Sequence, residues 1–126
     1  MKRLPLALVL FGSAIVVIGV PVQAFSIAAY SRGAGSGALD LHQDVGSLVM
    51  LGEILVVVGA IWAWRSNGRA VGMALAFLVI AVLQLLTLGD TDESGGWVNG
   101  LHGLLALIVF ALAAMLAHKA ARNLRA

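Results

Sequence analysis

The sequence predicts an all-α integral membrane protein, a four-helix bundle built from two helical-hairpin repeats with both termini cytoplasmic. Three observations predict it. Of the 126 residues, 61% are hydrophobic and 11% charged, which is more apolar surface than a water-soluble domain of this length can hide. The apolar residues fall into four runs, each close to the roughly 20 residues a helix needs to cross a bilayer. The basic residues collect at alternate junctions between the runs, the usual signature of membrane orientation.

The first run covers residues 4–30, and Pro21 is expected to kink its outer third. The others cover residues 41–64, 70–88 and 98–118. Backbone polar groups have no water to bond within hydrocarbon, so each run is read as a helix. Residues 31–40 and 89–97 are Gly-rich and polar and read as short flexible connectors. The whole chain, 1–126, forms one domain. Residues 1–24 also fit a signal peptide, with Val22-Gln23-Ala24 as a cleavage-like site. The length of the apolar run favours an uncleaved helix.

Seven of the eight basic residues lie on one side: Lys2, Arg3, Arg65, Arg69, Lys119, Arg122 and Arg125. That side is read as cytoplasmic, which makes the expected location a bacterial inner membrane. Arg32 lies on the other side with Asp40, Asp44, Asp90, Asp92 and Glu93. Trp62 and Trp64 are expected at the inner interface, Trp97 and Tyr30 at the outer one. With so few basic residues, all at helix ends, no nucleic-acid partner is expected. The chain has no cysteine, so disulfides, iron–sulfur clusters and thiolate metal sites are excluded.

The two halves of the chain repeat one polar pattern. Leu41-His42 and Leu101-His102 each open an apolar run. A small residue follows each His four places on, Gly46 in one case and Ala106 in the other. Gln23 with Ser26 precedes the first His, and Gln84 with Thr87 precedes the second. Helices two and four run in the same direction, so a pseudo-two-fold axis along the membrane normal would place His42 and His102 at equal depth near the outer face. With the boundaries above, each His stands in the first turn of its helix, where the helix dipole disfavours the charged ring. At helical spacing, His42, Gly46, Val49, Glu53 and Ala60 share one stripe of helix two. His102, Ala106, Val109, Ala113 and Ala120 share the matching stripe of helix four.

Two facing imidazoles in a helical bundle can be the axial ligands of a haem iron. Alternatively, they are amphipathic residues at the outer interface. Gly46 and Ala106 either clear space for a flat group or let the helices pack closely. Gln23 and Gln84 would hydrogen-bond a haem edge or orient a ligating His; otherwise they join helices as polar contacts. Arg32 would pair with haem propionates or stay in solvent. Glu53 lies about 16 Å below His42 by helical rise. An ionisable group at that depth is a functional candidate, for proton relay or for a bond to a neighbouring helix. His118 reads as a solvated residue at the inner interface, and Asp90, Asp92 and Glu93 as a solvated turn.

These features resemble one four-helix half of the haem A synthase family. The shared elements are the Leu-His with a small residue four places on, the Gln late in the odd-numbered helices and the inward termini. The sequence is also similar to small, uncharacterised four-helix membrane proteins of actinobacteria, through His42 and Asn99-Gly100-Leu101-His102. The chain departs from the synthase in three ways. It is a single bundle, it has Leu39 where the synthase carries an outer carboxylate, and it lacks the outer cysteine pair. The resemblance therefore implies haem binding at His42 and His102 rather than haem A synthesis. The expected function is a small membrane protein holding haem b between helices two and four, for electron transport or haem handling. A homodimer or larger membrane complex would restore an eight-helix arrangement. The other expectations are a non-enzymatic accessory or assembly subunit, and an outer-face divalent-metal site built from His42, His102, Asp40 and Asp44.

Overall fold

The computed structural model describes residues 3–87 and 95–126. It contains four α-helices, α1 (Arg3–Ser31), α2 (Ser36–Trp64), α3 (Gly68–Leu86) and α4 (Gly95–Arg125). Each is long and apolar enough to span a bilayer. The chain is a multi-pass four-helix membrane bundle. Its outer surface agrees with that solvent: Phe11, Ile18 and Phe25, seven residues apart along α1, are all more than 60% exposed. The acidic loop residues Asp90, Asp92 and Glu93 lie outside the described residues.

The helices begin and end where local chemistry dictates. Ala34 N–H donates to Ala29 O (3.0 Å) and Gly33 N–H to Tyr30 O (3.0 Å), a Schellman closure of α1. It requires a left-handed residue, and Gly33 has φ +91°. Gly35, at φ +89°, completes the reversal. α2 therefore starts at Ser36, five residues before the expected boundary, and the connector shrinks to four residues, 32–35. Asn67 caps α3 by accepting from Ala70 N–H at 3.2 Å. α1 continues through Pro21, and α4 starts at Gly95 instead of residue 98.

The helices form a ring in chain order. α1 packs on α2 and α4, and α3 packs on the same two. α2 and α4 touch only slightly across the diagonal, and α1 and α3 do not touch among the described residues. The core follows the expected stripes: Val49 and Ala60 of α2 and Val109, Ala113 and Ala120 of α4 are buried, with Phe77 of α3 and Val9 and Val16 of α1. Trp62 is exposed on the outside of the bundle, whereas Trp64 is buried. Lys119 Nζ lies 5.4 Å from the centre of the Trp64 ring, a cation–π contact that ties the end of α2 to α4.

The two hairpins differ in how tightly they close. In the first, glycines let the backbones meet: a Cβ on Gly52 would fall 2.8 Å from Gly12 O, and one on Gly59 would fall 2.7 Å from Pro5 O. At the repeat-equivalent places of the second hairpin stand Met73 for Gly12, Ile80 for Gly19 and Leu112 for Gly52. All three are partly buried against the core. Helices with glycine at a crossing approach more closely than helices with larger side chains there, and α1·α2 is the most extensive contact in the bundle.

Candidate functional site

The site grows from two equivalent helical turns. Near the end of α1, Ser26 Oγ donates to Gln23 O (3.1 Å). At the end of α3, Thr87 Oγ1 donates to Gln84 O (2.8 Å). Each of these carbonyls also faces an imidazole. His42 Nδ1 lies 3.0 Å from Gln23 O, and His102 Nδ1 lies 3.0 Å from Gln84 O. A carbonyl only accepts, so Nδ1–H is the donor in both rings, and in a neutral ring the lone pair is then on Nε2. The duplicated sequence pattern is thus a duplicated hydrogen-bond pattern. The polar partner of each His is the main-chain carbonyl of the Gln, with the hydroxyl three residues on sharing it.

The dipole expectation needs correction. His42 is the seventh residue of α2 and His102 the eighth of α4. Both stand beyond the first turn, where the dipole's influence has largely faded. The Nδ1–H bonds to carbonyls, rather than the helix start, fix how these rings are presented.

Both rings line one cavity of about 480 Å³. Its α2 wall runs from His42 to Val57, about 22 Å by helical rise, so the cavity is a slot along the helix. Leu78, Ala81, Val82 and Leu85 form the α3 wall, and His102 is its contribution from α4. The slight α2·α4 contact leaves the room for it. Met50, Ile54, Leu78 and Val82 are exposed as well as lining, so the slot opens between α2 and α3 toward the lipid. Glu53 lies on the same wall as His42 and is half-buried.

The remaining candidates separate. Gln23 and Gln84 both line the slot, but unequally. Gln23 Nε2 donates to His42 O (3.3 Å), whereas Gln84 Oε1 is buried with no donor. Gly46 accounts for part of this, because a Cβ there would fall 2.7 Å from Gln23 Nε2. The space at Gly46 is the seat of that amide. Ala106, which carries a Cβ, packs against the core and does not line the slot. Arg32 sits exposed in the α1–α2 turn, away from the slot. Asp40 and Asp44 are exposed and also lie off its walls. Among the described residues no group of three or more His, Asp or Glu side chains is placed to hold a metal ion. The fold thus does not gather the four-residue divalent site. His118 borders a separate cleft at the opposite end, with Lys119 and Arg122.

Sequence reasoning missed the α3 wall, although Leu78, Val82 and Leu85 have the spacing of one helical face. It also missed Ser47 and Met50 on α2, one turn and two turns beyond Gln43. No family model matches the chain, and neither does a curated protein or a solved structure.

Proposed function

We propose that the chain binds haem b in the slot walled by α2 and α3 and bordered by His102 of α4, where Nε2 of His42 and of His102 would hold the iron, and that it serves electron transfer or haem handling. The observation that carries this is the pair of 3.0 Å Nδ1 bonds to Gln23 O and Gln84 O. A metal-ligating His commonly donates its other ring N–H to a carbonyl, which fixes the tautomer and raises the basicity of the ligating nitrogen. Here two such rings, from diagonally opposed helices, border one cavity whose volume falls in the range of cofactor sites.

Haem, once bound, supplies one-electron chemistry. The chain supplies the rest. Ser26 and Thr87 hold the two carbonyls, the carbonyls hold the rings, and the apolar side chains of Val49, Met50, Ile54 and Val57 on α2 and of Leu78, Val82 and Leu85 on α3 limit the access of water. That limit shapes the redox potential of any guest. The lateral opening offers an apolar guest a route from the bilayer. In this reading the termini face the cytoplasm of a bacterium, the basic ends obey the positive-inside pattern, and the His pair works near the outer face. Electron exchange there calls for a partner in the membrane, either a second copy or a larger complex.

An absorption spectrum of the protein purified from haem-sufficient cells tests the reading. Wild-type protein is expected to show haem bands, and His42→Ala and His102→Ala are each expected to lose or strongly weaken them. Bands that survive in both variants refute the site, and colourless wild-type protein that takes up no added haem refutes the function.

A further inference from the structure

Of the six acids, Glu53 is the one that lies near the middle of an apolar run; Asp44 stands at the outer end of the same run. Glu53 lines the same slot as His42 and His102, and among the described residues no Lys or Arg shares that lining. Among the described residues, the only other titratable groups on the walls are the two histidines. α1 contributes Gln23 and α3 contributes Gln84, neither of which titrates. Its counterpart in the second hairpin is Ala113, which is fully buried, so the bundle packs at this level without a carboxyl group. A carboxylate with no cation beside it in an apolar wall is costly, unless the guest carries the compensating charge or the group takes a proton.

Ferric haem held by two neutral imidazoles carries one net positive charge at its core, and ferrous haem carries none. In a weakly screening slot this difference acts over long distances. We propose, resting on the haem reading above, that Glu53 couples electron uptake at the His42/His102 site to proton uptake. As one electron enters from an external one-electron reductant, the Glu53 carboxylate takes one proton from the adjoining aqueous phase. An O–H bond forms at its carboxyl oxygen, and the total charge in the slot stays constant. Reoxidation returns the proton.

The test is a redox titration of the haem-loaded protein from mildly acidic to alkaline pH, with Glu53→Gln and Glu53→Asp in parallel. The midpoint of wild type is expected to fall as pH rises, that of Glu53→Gln to stay flat, and that of Glu53→Asp to recover the slope. A reduced-minus-oxidised infrared difference spectrum of wild type is expected to show a carboxylic acid band appearing on reduction. This second measurement holds even where Glu53→Gln does not fold. A wild-type midpoint independent of pH, a slope retained in Glu53→Gln, or an infrared spectrum without that band overturns the proposal and leaves haem binding intact. Protein that takes up no haem overturns both.

Discussion

Replacing Gly12 by alanine probes the close crossing on which the geometry of the first His depends. The new Cβ would stand 2.5 Å from Gly52 O, 2.9 Å from Leu55 Cβ and 3.0 Å from Val56 N. Two of these three atoms are main chain and cannot rotate aside. Relief requires α1 and α2 to part by roughly 1 Å, to ordinary van der Waals separation. Overpacking of this kind costs about 1–3 kcal/mol, and the better helix propensity of alanine returns about 1 kcal/mol. If α1 moves as a rigid body, the Gln23 O to His42 Nδ1 distance grows from 3.0 Å by roughly as much, past the range of a hydrogen bond. That loss adds about 1 kcal/mol. The net expectation is destabilisation of about 1–3 kcal/mol. A titration from mild detergent into dodecyl sulfate, followed by far-ultraviolet circular dichroism, measures it. Gly72→Ala is the control, because nothing lies within 4 Å of its Cβ, and it is expected to be neutral or stabilising. Equal stability of the two variants would refute the close-crossing argument.

Two further substitutions probe the second half of the site, the α3 turn that faces His102. Thr87→Val removes the 2.8 Å bond to Gln84 O and is expected to lower stability by about 0.5–1.5 kcal/mol in the same titration, with weaker haem uptake. Gln84→Leu removes a buried acceptor that has no donor. It is expected to stabilise the haem-free protein by about 1 kcal/mol and to reduce haem affinity; a loss of stability would mean that a water already satisfies the amide.

The fold was legible because hydrocarbon leaves the backbone few choices, and four apolar runs translate directly into four helices. The boundaries were less so. Ser36-Gly37 reads as loop by propensity, yet the positive φ of Gly33 and Gly35 completes the reversal early and leaves Ser36 free to start α2. The site was legible as a repeat, since the 60-residue spacing of the histidines and the 61-residue spacing of the Gln steps both mark the shared turn. Its chemistry was not. A carbonyl partner has no signature in side-chain identity, so the role of Gln23 and Gln84 in holding the rings through O rather than through their amides needed coordinates. The unequal closure of the hairpins was written in Gly12, Gly19 and Gly52 against Met73, Ile80 and Leu112. It takes meaning only once those positions are known to face neighbouring helices.

The central claim is that two imidazoles, each held by its Nδ1–H on a Gln carbonyl, meet one iron. Electron paramagnetic resonance of the ferric, haem-loaded protein tests it most directly. The wild type is expected to give the low-spin signal of an iron with two imidazole ligands, and His42→Ala and His102→Ala each to convert the iron that remains bound to high spin. A high-spin wild type, or a low-spin signal unchanged in both variants, would contradict it.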